Sequence, residues 1–340
     1  MQSRCVTPNE AGQRLDKLLV KVLNKAPKSF IYKMLRKKNI TLNDKKADGS
    51  EKLAVGDTIK LWLSEDTIAK FSEENAALDA VMAVKDALDI IYEDKNILVI
   101  NKPSGVLSQK AAPEDVSVNE EVISYMLRTG QLRREELGSF RPAVCHRLDR
   151  NTSGLLVAGK SLAGLQDMAQ LIRSRELGKY YCCLVHGVVK EKTVIRGYLT
   201  KDDLHNRVYI SQEKTAGGDF IETRYEPVAT NGKQTLLWVH LITGRSHQIR
   251  AHLASIGHAI AGDSKYGDKP DNKYLFEKYH LKYQLLHCVQ LVMPKDTLRL
   301  DGLSGKVFRA PLPSLFTCIL REEKITDKVD DHGNLEFKRA

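Results

Sequence analysis

No stretch of this 340-residue sequence approaches the roughly 18 consecutive apolar residues that span a bilayer, and the opening Met1-Gln2-Ser3-Arg4 carries no apolar signal core. Neither a membrane partner nor export is expected, so a cytoplasmic location is. Paired cysteine spacing is lacking as well. Cys5, Cys145, Cys182, Cys183, Cys288 and Cys318 are scattered with no C-x-x-C among them. That pattern favours free thiols over bridges and argues against zinc, despite the dipeptides Cys145-His146 and His287-Cys288. No internal repeat is visible. The chain also lacks a G-x-S-x-G elbow, a D-F-G and an upstream Gly-rich loop, which excludes a triad hydrolase and denies the "HRLD" of residues 146–149 to a kinase.

What is present is an excess of positive charge, 53 Lys and Arg against 43 Asp and Glu, unevenly placed. Residues 1–64 hold 14 bases and 6 acids, whereas residues 65–95 hold 9 acids and 3 bases. A small basic module (1–64), an acidic, Ala-rich linker (65–87), a larger domain (88–325) and a loose polar tail (326–340) follow from that distribution. Net charge of this sign favours a polyanionic partner.

In the basic module, Leu15, Leu18, Leu19, Val22 and Leu23 repeat at helical spacing. A second helix presents Phe30, Ile31, Met34 and Leu35 to the core, while Lys28, Lys33, Arg36, Lys37 and Lys38 crowd its other side and end. The runs "ITLNDKKADG" and "LAVGDTIKLWL" read as strands around a polar turn, the last strand starting at Val55-Gly56-Asp57. Five cations beside a compact hairpin suit a grip on phosphate backbone better than a merely solvated face.

The larger domain opens with a hairpin, Ile90 to Tyr92 and Ile97 to Ile100, running into "NKPSG". Leu155 to Ala158, Tyr180 to Val185 and Leu236 to Ile242 read as strands. Helices are expected over Leu162 to Arg175 and over Ser246 to Ile256, the latter capped by Ser246 and closed by Gly257. Mixed strands, hairpins and helices indicate an α+β fold. Residues 154–161, "GLLVAGKS", satisfy the P-loop pattern, but Leu155-Leu156-Val157-Ala158 fill positions that need a flexible backbone nest. Four consecutive apolar residues belong to a strand, and Ser161 then caps the next helix. No nucleotide cofactor is expected.

Three segments carry the chemistry. "CHRLDRNTSG" sets Asp149 on a turn between Arg147 and Arg150; the alternative is a structural salt bridge or an Asx turn. "RELGKYYCCLVHG" sends Tyr180 and Tyr181 to opposite faces of a strand, one toward a core and one toward a cleft. "TGRSHQIRAHLASIGHAIAGDSKYG" gathers Arg245, His247, Arg250, His252 and His258 on a helix and the loop after it.

With "NKPSGVLS", "LLHC" and "RAPLP" in order around them, these segments resemble the motifs of the RluA-type pseudouridine synthases over residues 88–318. Residues 12–62 resemble the S4-like, αL-type RNA-binding domain carried by members that act on large-subunit ribosomal RNA. The resemblance implies a pseudouridine synthase fold, with a mixed, mainly antiparallel sheet flanked by helices, and RNA as partner, ribosomal RNA before transfer RNA. It implies Asp149 as the essential carboxylate and Arg147 as the group that takes the displaced base's place. Tyr181 would pack on the base and assist loss of the C5 proton, and Arg250 would pair with Asp149. Isomerisation involves no redox change and no phosphate transfer, so no cofactor or metal is expected and a monomer suffices. A neighbouring guanidinium favours the charged carboxylate that such a reaction needs.

Overall fold

The structure is a computed structural model and describes residues 1–72, 84, 87–202, 204–295, 302–326, 329–330 and 332–334. The basic module runs β1 (Gln2–Cys5), α1 (Leu15–Val22), α2 (Lys28–Arg36), β2 (Ile40–Leu42), β3 (Lys45–Lys46), β4 (Thr58–Leu61) and α3 (Glu65–Phe71). Both amphipathic helices bury their expected faces with Ile40, Ile59 and Leu61 of a four-stranded sheet ordered β1-β4-β2-β3. Residues 55–57 form a turn before β4 rather than its start: Gly56 takes φ 89°, and Asp57 Oδ2 accepts from Ala54 N at 2.8 Å.

The stretch expected to begin the acidic linker is partly a helix. Ser64 Oγ accepts from Thr67 N at 3.3 Å to cap α3, and Phe71 packs against Phe30 with tilted rings whose centroids are 4.4 Å apart. Ile68 and Phe71 thereby join the core of the basic module, so residues 65–71 belong to it. The remainder of the expected linker lies largely outside the described residues. Arg4 Nη2 donates to Ser139 Oγ at 2.7 Å, and Asn9 Oδ1 accepts from Leu162 N at 3.2 Å, joining module and larger domain.

The larger domain continues with β5 (Ile90–Glu93), β6 (Ile97–Lys102), α4 (Val118–Arg128), β7 (Ala143–Val144), β8 (Ser153–Gly159), α5 (Leu162–Arg173), β9 (Gly178–His186), β10 (Thr193–Asp202), β11 (Arg207–Ser211), β12 (Asp219–Thr230) and β13 (Gln234–Leu241). It ends with α6 (Gln248–Ser255), α7 (Lys269–Tyr279), β14 (Leu286–Val292), β15 (Val307–Arg309) and α8 (Ser314–Glu322). The central sheet is ordered β11-β10-β12-β13-β9-β14-β8-β6-β5, with β7 on β8 and β15 on β14. Its pairings are antiparallel except β14 with β8. Alternation along β9 divides the core in two: Tyr181, Cys183 and Val185 face α4, α5 and α6, whereas Cys182 and Leu184 face α7 and α8. The candidate P-loop is strand β8, buried at every residue, and Lys160 is held by Glu93 and Asp94 O.

Further boundaries differ from expectation. The helix expected over Leu162 to Arg175 ends at Arg173, since Arg175 adopts the left-handed φ of 63°. The helix expected from Ser246 starts at Gln248, because the preceding residue, His247, adopts the left-handed φ of 54° and Ser246 makes no cap. The tail is not wholly loose: Val329 is buried beside α8, and Leu312 N donates to Gly333 O at 2.8 Å. Among the described residues no helix is long and apolar enough to cross a membrane.

Two histidines bear on stability. His252 Nδ1 lies 3.0 Å from Thr223 Oγ1 and His287 Nδ1 lies 2.8 Å from Ser153 Oγ, both rings fully buried. Burial lowers each pKa from 6.5 to about 4. The folded chain therefore binds fewer protons than the unfolded one below pH 6.5. This contribution is intact above 6.5 and is lost as pH falls toward 4. These two rings should account for about 3–4 kcal/mol of the stability difference between pH 7 and pH 5, and the double variant His252→Gln/His287→Gln should show a difference smaller by that amount in denaturant titrations. An unchanged difference in the double variant would show that the two rings titrate normally.

Candidate active site

The first segment, residues 145–154, links β7 to β8 and hangs Asp149 over a cleft of about 900 Å³. The "NKPSGVLS" segment holds that turn in place. Lys102 Nζ donates to Arg150 O at 3.0 Å, and also to Pro103 O and Val106 O at 2.9 and 2.8 Å. Gly105 N donates to Arg150 O at 2.9 Å, and Ser108 Oγ donates to Leu148 O and accepts from Leu148 N at 2.9 and 3.0 Å. Leu148 O and Arg150 O of the turn thus have donors. Burial pushes the Lys102 pKa down to about 7, against the pull of Asp149, yet all three ammonium donors are used. Lys102→Met should leave Pro103 O and Val106 O without that donor, while Gly105 N still serves Arg150 O, and cost on the order of 2 kcal/mol; an unchanged denaturant midpoint would contradict this.

From the opposite side, α6 brings Arg250 across. Its Nη1 donates to Asp149 Oδ2 at 2.8 Å, while Nε and Nη2 make a forked pair with Asp263 Oδ2 and Oδ1 at 2.7 and 3.0 Å. Asp263 is wholly buried and also accepts from Lys265 N and Tyr266 N at 2.8 and 3.1 Å. Burial opposes the charge on both groups. The paired charges outweigh it, so the Asp263 pKa is lowered and the Arg250 pKa raised. The guanidinium is consequently a fixed cation. Two of its nitrogens are anchored, and a third is aimed at Asp149, whose side chain keeps 24% of its surface exposed to the cleft.

The loop before α6 is equally determined. Gln248 is buried, and its Oε1 accepts from Thr243 Oγ1 and Arg245 N at 2.9 and 3.1 Å. Its Nε2 donates to Glu222 O and Thr223 Oγ1 at 3.1 and 3.0 Å. Arg245 stands at the rim paired with Asp219 at 2.8 Å, and His247 Nδ1 lies 3.1 Å from the Tyr266 hydroxyl.

Tyr181 lines the cleft floor, 4% exposed. Burial first, then Cys288 and Asp149, raise its pKa well above 10, so the phenol keeps its proton. Tyr180, on the other face, stacks on His240 at 4.3 Å and Trp238 at 5.5 Å.

The cleft therefore brings together Asp149, Tyr181, Arg250, Arg147, Arg245 and His247. Arg150 is not brought in: it turns away, and its Nε donates to Gly105 O at 3.1 Å. Of the clustered bases, His252 is buried against β12, and His258 Nδ1 lies 3.0 Å from His186 O. Lys28, Lys33, Arg36, Lys37 and Lys38 are exposed on α2 and at its C-terminal end, outside the cleft. Sequence reasoning passed over Asp263 and Lys102, although both sit inside quoted motifs. It also missed Lys179, which lines the cleft two residues before Tyr181 with its pKa lowered by burial, and Phe220, an exposed ring at the mouth. Among the described residues no three His, Cys, Asp or Glu side chains converge as a metal site requires.

Residues 96–255 match the family model described as RNA pseudouridylate synthase. A ribosomal large subunit pseudouridine synthase C from Vibrio vulnificus is 33% identical over 83% of this chain and 84% of its own length. The protein of the same name from Escherichia coli K12 is 35% identical over 80% and 82%. The solved structure titled Human RNA Pseudouridylate Synthase Domain Containing 4 superposes with a TM-score of 0.56 at 21% identity, covering 70% of this chain and 93% of that one. That likeness supports the same fold.

Proposed function

The chain belongs to the RNA pseudouridylate synthase family and isomerises uridine to pseudouridine in RNA; from that premise we propose how it does so and on which RNA. The substrate is large-subunit ribosomal RNA, the reading supported by the names of the relatives that match most of the chain. The observation that carries the mechanism is the Asp149–Arg250–Asp263 arrangement at the base of a cationic cleft.

In the reaction the bond between N1 and C1′ breaks, the base turns, a bond forms between C5 and C1′, and the proton on C5 leaves while N1 gains one. Asp149 acts at the sugar, as nucleophile at C1′ or as base toward C2′. Arg250 holds the carboxylate on target with a charge-assisted hydrogen bond, and Asp263 holds Arg250. Tyr181 supplies a flat neutral wall on which the detached base can turn. Its raised pKa speaks against a phenolate base. The uridine must leave its stack, at a cost of a few kcal/mol. Arg147, exposed at the mouth, takes the vacated place, while Arg245 and His247 meet backbone at the rim.

Residues 1–64, together with α3, form the RNA-gripping module, with Lys28, Lys33, Arg36, Lys37 and Lys38 on phosphates. Residues 88–325 form the catalytic domain. The enzyme works in the cytoplasm as a monomer, without metal, nucleotide or other cofactor. The substrate class is tested by tritium release from 5-tritiated uridine in large-subunit ribosomal RNA and in transfer RNA transcripts. Release from the ribosomal transcript is expected, and release from transfer RNA alone would overturn the substrate.

A further inference from the structure

The catalytic account leaves one large aromatic on the basic module without a role. Trp62 is 51% exposed, although Leu61 and Leu63 on either side are buried. Alternation along the chain leaving β4 forces this arrangement: Leu61 pairs with Ile40 toward the core, so Trp62 shares the outer face with Lys60. Its position is fixed, because Trp62 N donates to Asn39 O at 2.8 Å, directly after the last two cations of the α2 cluster. Lys37 ends that helix, and Lys38 takes a left-handed φ of 60°, turning the chain back toward β2. Lys60, two residues before Trp62, is paired with Asp44 at 2.6 Å. An exposed indole thus stands at the end of the interior strand β4, with its backbone paired to the residue that follows Lys37 and Lys38, in a module with 14 bases and 6 acids.

We propose that Trp62 is a stacking site for an unpaired nucleobase of the bound RNA. The inference rests on the reading that the basic module grips RNA. The cations favour a polyanion over an apolar protein surface. Within polyanionic RNA, a flat exposed ring takes a splayed-out base, since bases inside an A-form helix offer no free face. The α2 cations would hold the backbone on one side while Trp62 takes a base from the unpaired segment next to it. The module would then select a helix with an adjoining unpaired nucleotide rather than duplex alone.

The test follows tryptophan emission, with filter binding over a range of salt to read affinity, while unmodified large-subunit ribosomal RNA transcript is added to full-length wild type, Trp62→Leu, Trp62→Phe and Lys33→Ala/Arg36→Ala/Lys37→Ala. RNA should quench the wild-type emission, and Trp62→Leu should lose that quenching. Its affinity should fall roughly tenfold with an unchanged dependence on salt, since no phosphate contact is removed. Trp62→Phe should recover most of the affinity. The triple variant should bind more weakly with a shallower salt slope. Wild-type affinity in Trp62→Leu, with the triple variant weakened, would overturn the stacking site alone. Wild-type affinity in the triple variant would instead overturn the reading of the module.

Discussion

Asp149→Asn is expected to lower the rate of uridine isomerisation by at least about 10⁴-fold while leaving RNA affinity within about twofold. The change is nearly isosteric, so Arg250 and the turn held by Lys102 and Ser108 keep their places. On the proposed mechanism, what disappears is the carboxylate that acts at the sugar, which an amide cannot replace. Binding should persist because the cationic groups of the cleft and of α2 are untouched. Single-turnover assays with filter binding on the same preparations separate the two quantities. Isomerisation within tenfold of wild type would remove Asp149 from the chemistry.

Arg250→Met is expected to cost both activity and about 3–5 kcal/mol of stability. Asp263 has no exposed surface and relies on Arg250 for its forked partner, so the variant strands a buried carboxylate. Backbone donors from Lys265 and Tyr266 would remain, which offsets part of the penalty. The double variant Arg250→Met/Asp263→Leu removes the stranded charge together with its partner. It should recover most of the stability and none of the activity, because Asp149 still lacks its guanidinium. Denaturant midpoints and isomerisation rates of both variants distinguish a purely structural ion pair from a positioning one. A stable double variant with near-normal turnover would support the purely structural role.

Much of the site was legible because its residues lie in short, chemically dense segments. "HRLD" and "HQIR" name the two ends of the 2.8 Å contact between Asp149 and Arg250, and alternation along "KYY" is enough to send Tyr181 and Tyr180 to different faces. Asp263 looked like an ordinary loop acid, since nothing in "AGDSKYG" reveals that its side chain points inward beneath Arg250. Lys102 was obscure for a related reason: a lysine before proline reads as solvent-exposed, and its three carbonyl partners are assembled only when two distant turns meet. Composition misled at α3, where acids and alanines suggest a linker. Ile68 and Phe71 acquire meaning only through Phe30 in a different helix. The same holds for β1, whose Gln-Ser-Arg-Cys shows no apolar alternation and is a strand because β4 offers it an edge. At α6 the Ser246 cap was plausible locally, but the side chain of Gln248 satisfies the preceding loop and His247 makes the turn.

The central claim, that this chain isomerises uridines of large-subunit ribosomal RNA through Asp149, is tested most directly by mapping the product. Unmodified transcript is incubated with wild type or Asp149→Asn, treated with carbodiimide and read by primer extension. The expected result is a small set of discrete new stops with wild type and none with Asp149→Asn. Stops of equal strength with both proteins would contradict the role of Asp149, and no stops with the active wild-type enzyme would contradict the substrate.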